Sequence, residues 1–207
     1  MDIAIIGAGN VGTTLGTAWA AKGHRVCYGV RDTASPKLAG IDRARTPVLT
    51  VAEAAKAAGV VVLATTWAGT KDAIAACGKL DGKVVLDTTN PISAGFSGMD
   101  RPEGKSGGEL VAGWATGAKV VKVFNTTGFN NMANPVYGAT RSMMLYCGED
   151  AGAKDVAKQL CTDLGFDPVD AGPMENARYT EALAWVWIWL AVKGGQGRDI
   201  AFTLARR

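Results

Sequence analysis

The chain has 207 residues, 48% hydrophobic and 20% charged, with a net charge of +3. That is enough to bury an ordinary core, and the length suits one large domain or one domain with an appendage. The charge is spread without a run of five like residues, which gives no reason to expect nucleic acid or a membrane as partner, and a small anionic ligand suffices to explain the slight excess.

The longest apolar stretch, residues 182–192, is about half of the roughly 20 residues that cross a bilayer. The opening MDIAIIGAGN lacks the basic start and cleavage site of an export signal. A cytoplasmic protein is expected. Cys27, Cys77, Cys147 and Cys161 lack the paired spacing of a zinc or redox site, so they are expected to be reduced and buried, and no metal site is expected.

In chain order, strand-like runs at residues 3–6, 25–29, 60–64 and 84–87 alternate with helix-like stretches. The first helix runs through Trp19 to Lys22 and is closed by Gly23. The next opens at Val51 behind the capping box Thr50-x-x-Glu53, and a third runs from Thr70 to the stop at Gly78. This alternation predicts an α/β fold of Rossmann type, a doubly wound and mostly parallel sheet. Residues 88–109, rich in Gly, Pro and Ser, are expected to be a long loop over the carboxyl end of the sheet, where such folds bind ligands.

Strands at 119–124 and 142–147 follow, then a helix over 151–164 ending at Gly165, a short strand leading to Ala171, and a long helix from about Met174 to Lys193 bearing Tyr179, Trp185, Trp187 and Trp189. The expected division is a dinucleotide-binding domain over 1–140 and a small α/β extension over 141–207, packed on it, that contributes the acceptor pocket. Trp185 and Trp189, at i, i+4 spacing, make a homodimer seam the expected assembly.

Gly7-Ala8-Gly9-Asn10-Val11-Gly12 fits G-x-G-x-x-G directly between a strand and a helix, the context a dinucleotide-binding loop requires. The first glycine allows the tight turn, the second lets backbone approach the pyrophosphate, and the third lets helix and strand pack. Where an NAD enzyme places a carboxylate at the end of the second strand, this chain reads Tyr28-Gly29-Val30-Arg31, with Ser35 and Lys37 close behind. A cation there pairs with the 2′-phosphate of NADP, although Asp32 could still face a ribose.

The only histidine, His24, falls in a turn at the wrong end of the sheet and is expected to be a surface residue. No tyrosine has a lysine four positions on. Neither a histidine acid–base nor a Tyr/Lys pair is therefore available, and no catalytic residue is assigned. Hydride transfer to an acceptor that delocalises its own charge needs mainly proximity and orientation.

Together these residues resemble the family of coenzyme F420-dependent NADP oxidoreductases, over nearly the whole chain. The likeness is carried by residues 7–12, Gly29-x-Arg31, Thr66-Trp67, residues 120–125 with Thr126-Thr127, Cys147-Gly148-Glu149-Asp150, Asp170-Ala171-Gly172-Pro173 and Gly194-Gly195-Gln196-Gly197.

The resemblance implies an NADP-dependent oxidoreductase in which nicotinamide C4 and deazaflavin C5 exchange hydride. It implies that Ala8, Gly9, Asn10 and Val11 touch the pyrophosphate, that Val30 and Arg31 hold the 2′-phosphate, that Thr66 and Trp67 flank the cofactor, and that Asn125 to Phe129 border the nicotinamide. Two features depart from the family: the loop Asp87-Thr88-Thr89-Asn90-Pro91 is polar, and Asn125 stands where the family has histidine. Asn90 and Asn125 could bond the nicotinamide carboxamide, a ribose or a polar substrate. Reduction of a small carbonyl or imine, and a redox sensor that binds NADP without turnover, remain as alternatives to coenzyme F420 or a flavin-like acceptor.

Overall fold

In the computed structural model, which describes residues 1–100 and 104–207, β1 (Asp2–Ile6) turns Ile3 and Ile5 to one face and Ala4 and Ile6 to the other, all at most 1% exposed. A strand buried on both faces is what a sheet covered by helices on both sides requires.

After β1 come α1 (Asn10–Ala21), β2 (Arg25–Val30), β3 (Val48–Thr50), α2 (Val51–Ala57), β4 (Val60–Leu63), α3 (Trp67–Cys77), β5 (Val84–Asp87), α4 (Gly107–Trp114) and β6 (Lys119–Val123). The C-terminal part holds α5 (Phe129–Ala133), the hairpin β7 (Val136–Tyr137) and β8 (Thr140–Arg141), then β9 (Met143–Gly148), α6 (Ala151–Leu164), β10 (Asp167–Asp170) and α7 (Ala177–Ile188). A 3-10 turn, Met174–Asn176, leads into α7 and a π-helical turn, Trp189–Lys193, leaves it.

The eight-stranded sheet runs β10-β9-β6-β5-β4-β1-β2-β3. Strands β1 to β6 are parallel, and β9 joins β6 antiparallel with β10 parallel to β9. This is the doubly wound fold expected from the sequence, with strand order reversing between β1 and β4, the crevice where such sheets bind ligands. One core layer joins β1, β4 and β6 to Leu15, Trp19, Leu160 and Phe166; the other packs Ala54, Ile74, Val111 and Ala177 on the opposite face.

The capping box Thr50/Glu53 and the left-handed Gly165 at φ +95° form as expected. Three expectations change and one strand is added. The loop 88–109 ends early, because Ser106 and Glu109 form a second capping box that starts α4 at Gly107; residues 101–103 of that loop lie outside the described residues. Helix α3 begins at Trp67 and not at Thr70. The strand β3, too short to show a period, completes the edge beside β2. His24 is no free surface residue: its Nε2 lies 2.9 Å from Asp163 Oδ2, with the imidazole largely buried against α6.

Among the described residues no helix is long and apolar enough to cross a membrane, and no cluster of His, Cys, Asp or Glu could hold a metal. All four thiols are free, three of them buried. Burial pushes Cys77 up to about 11 and Cys147 up to about 12, so neither is a ready nucleophile.

Candidate functional site

The three loop glycines divide as their spacing predicts. Gly7 has φ +107°, and a Cβ on it would lie 2.4 Å from the Ala64 carbonyl oxygen. A Cβ on Gly12 would lie 2.1 Å from the Gly7 carbonyl oxygen. Both are closed by protein backbone, whereas a Cβ on Gly9 would meet nothing within 4 Å. The space beside Gly9 is open, and α1 starts there with no side-chain cap and no acidic residue in its first turn. Free amides and the positive end of the helix dipole are left for an anion.

At the end of β2, Arg31 is exposed, and no hydrogen bond or ion pair involves it among the described residues. Asp32, in contrast, folds its Oδ1 back onto the amide of Ala34 at 2.9 Å, an Asx turn that occupies the carboxylate locally. Ser35 precedes the 3-10 turn Pro36–Leu38 without its hydroxyl accepting a cap hydrogen bond, and Lys37 is exposed on that turn. Arg43, which the sequence pattern did not single out, reaches back to the Thr33 carbonyl at 2.8 Å and adds a cation to the same turn.

Thr66 caps α3 by position without a side-chain hydrogen bond. Trp67 packs on Trp114 of α4, ring centroids 5.5 Å apart, and the two line a groove of about 460 Å³ with Lys71, Lys105 and Leu110. Phe129 is half-buried against the α1 layer, with the Arg198 guanidinium 5.0 Å from its ring.

The β5 and β6 ends carry the polar residues. Asn90 Nδ2 donates to the Asn125 carbonyl at 2.8 Å, and Asn125 Nδ2 donates to Asn90 Oδ1 at 3.1 Å and to Thr180 Oγ1 at 3.4 Å. Asn125 is 3% exposed, and its Oδ1 is buried without a partner. Such an orphan acceptor at the carboxyl edge fits a ligand N–H. The preceding residue, Phe124, is held at φ +60° inside the Trp19 and Phe166 cluster. This is backbone strain of the kind found beside binding sites.

Sequence reasoning missed the charged cluster beneath this pair. Asp87 and Lys122 are register partners on β5 and β6, both fully buried, with Lys122 Nζ 2.9 Å from Asp87 Oδ2 and 3.0 Å from Glu181 Oε1 on α7. A lysine inside KVVKV was the available signal; its partners lie 35 and 59 residues away by the numbering and leave no local mark.

The family model for "NADP oxidoreductase coenzyme F420-dependent" matches residues 2–91. A crystal structure from Arthrobacter sp. FB24, provisionally described as an F420-dependent NADP-reductase, is 33% identical with a TM-score of 0.88, covering 100% of both chains. The metalloreductase STEAP3 of Rattus norvegicus is 26% identical over 87% of this chain; the chain spans 36% of that relative's length. A reductive aminase from Aspergillus terreus, 20% identical, shares the fold with a TM-score of 0.69 over 94% of this chain and 62% of its own. With the phosphate loop, the cationic turn and a full-length relative at this identity in agreement, the chain belongs to the family of coenzyme F420-dependent NADP oxidoreductases.

Proposed function

We propose that the protein is an NADP-dependent reductase that transfers hydride between NADPH and a deazaflavin, coenzyme F420, or a flavin-like acceptor. The observation that carries the NADP part is the contrast at the end of β2: Arg31 is exposed and unengaged among the described residues, while the neighbouring carboxylate of Asp32 is turned onto Ala34. A 2′-phosphate can meet the Arg31 cation there, while one oxygen of the neighbouring carboxylate already accepts the Ala34 amide.

In this reading residues 8–11 receive the pyrophosphate on the uncapped start of α1, Val30, Arg31, Ser35 and Lys37 surround the 2′-phosphate, Thr66 and Trp67 border the cofactor, and Asn90, Asn125 and Phe129 lie at the nicotinamide end. The bound dinucleotide would supply the hydride; the chain supplies orientation and excludes water. Residues 1–140 act as the dinucleotide domain and 141–207 as the acceptor side. Support for a planar acceptor comes from exposed apolar side chains beside the long loop, Phe96, Trp189 and Val192, with Lys193 tying the loop to the last helix through the Phe96 carbonyl. The expected seam of Trp185 and Trp189, extended by the exposed Tyr179 and Val186 of α7, is the surface for a second copy in a cytoplasmic homodimer, with Trp189 at the border between seam and acceptor side.

A second reading, reduction of a small carbonyl or imine, is favoured by one feature, the unsatisfied amide oxygen of Asn125, which could orient a polar substrate.

Two measurements test the proposal. Arg31→Ala should weaken NADPH binding by about 1–3 kcal/mol, roughly 5- to 150-fold, and leave NADH nearly unchanged; equal losses would remove Arg31 from the site. NADPH oxidation by the purified protein should depend on added coenzyme F420 or a flavin. Turnover on an imine panel alone would favour the second reading, and tight NADPH binding with no turnover on any acceptor would favour a sensor.

A further inference from the structure

Lys122 is fully buried on β6, and its three ammonium protons have three acceptors: Asp87 Oδ2, Glu181 Oε1 and, at 2.6 Å, the carbonyl of Thr89. The second carboxylate charge is met elsewhere, since Glu181 accepts the amides of Gly107 and Gly108 at 3.0 and 2.9 Å and so caps α4. Burial works against the charge on Lys122, but Asp87 and Glu181 outweigh it and hold its pKa above the ordinary lysine value. Apolar residues of equal volume often stabilise a core as well as such a cluster does. Stability alone therefore does not account for it.

Its contacts lead to the Asn90–Asn125 pair. Lys122 fixes the carbonyl of Thr89, and Asp87 Oδ1 holds the Thr89 amide at 2.9 Å and hydroxyl at 2.7 Å, so the residue before Asn90 is pinned on three atoms. Asn90 must turn its Nδ2 to the Asn125 carbonyl, which leaves its Oδ1 facing Asn125 and admits only a donor there. Thr180 Oγ1 donates to the Ala177 carbonyl and so also accepts from Asn125. Both Nδ2 protons of Asn125 are thereby used, and its oxygen is the atom left over.

We infer that Lys122 is a positioning residue for the nicotinamide end of the cofactor, holding Asn125 through Thr89 and Asn90 so that its Oδ1 accepts the carboxamide N–H of nicotinamide. This rests on the NADP reading above.

The test compares binding of NADPH with that of 2′,5′-ADP, which shares the phosphorylated adenosine and lacks nicotinamide, by calorimetry and by fluorescence of the bound nicotinamide. Lys122→Met/Asp87→Asn removes the cation together with the anion it would strand, and Asn90→Ala cuts the route without touching a buried charge. Both should bind 2′,5′-ADP like the wild type, bind NADPH about 10-fold more weakly or worse, and show altered nicotinamide fluorescence. Combining them should cost no more than either alone.

Wild-type NADPH affinity in Asn90→Ala or in the charge-balanced double variant overturns the inference, as does an equal loss of 2′,5′-ADP in Asn90→Ala. A wild-type protein that binds neither ligand overturns the NADP reading instead.

Discussion

At the β1–β2 end of the carboxyl edge the candidate groups are backbone amides beside Gly9, where a Cβ would meet nothing within 4 Å, and the exposed cations Arg31 and Lys37. At the β5–β6 end they are side chains 4% exposed or less, Asn125 above Asp87, Lys122 and Glu181, contributed by two strands and the last helix. The first end is shaped by chain geometry over a few residues and tolerates exposure. The second works only because distant elements complete one another's hydrogen bonds, which is why its failure is costly.

The largest effect that would sharpen this contrast is on stability. Lys122→Met alone leaves Asp87 buried without its cation and should cost about 3–5 kcal/mol in chemical denaturation, whereas Lys122→Met/Asp87→Asn should recover much of it. A cost below about 1 kcal/mol for the single variant would mean the cluster is not a charged one.

At the other end, Gly12→Ala drives a Cβ onto the Gly7 carbonyl and should cost about 1–3 kcal/mol or more, because backbone cannot yield as a side chain can. Gly9→Ala should change stability by less than about 0.5 kcal/mol yet weaken NADPH, since its Cβ enters open space. If both variants lost stability alike, Gly9 would be structural and the phosphate site would lie elsewhere.

The smallest effect concerns helix starts away from both ends. Glu53, through its hydrogen bonds from Thr50, Glu109, through those from Ser106, and Asp150, through that from the Ala153 amide, are all held below their ordinary values of 4.5, 4.5 and 3.8. A lowered folded-state pKa stabilises above the ordinary value and is lost as pH falls through the lowered one. Thermal stability should therefore decline on acidification below about pH 4.5, and the slope should flatten in Glu109→Gln. A melting temperature indifferent to acid would show that these caps contribute little.

The same contrast explains what could be read from residues alone. The alternation of strands and helices, the loop 7–12 and Arg31 are local patterns, and they appear in the structure where the spacing puts them. Helix α4 was hidden because Gly107-Gly108 reads as a chain break. In the fold those glycines let α7 approach: a Cβ on Gly108 would lie 2.7 Å from Ala177 Cβ. Ser106-x-x-Glu109 was a legible start signal that the glycines overrode. His24 looked like a turn residue because Asp163, its partner, is 139 positions away.

By itself the sequence determined the parallel sheet, its glycine loop and the cationic turn after β2, since each depends on φ, on hydrophobic period or on neighbours within a few residues. Only the tertiary structure decided that Lys122 joins Asp87 and Glu181 and that Asn125 keeps a free buried oxygen. Those outcomes depend on which distant groups share a desolvated space, and pairing of that kind has no period along the chain.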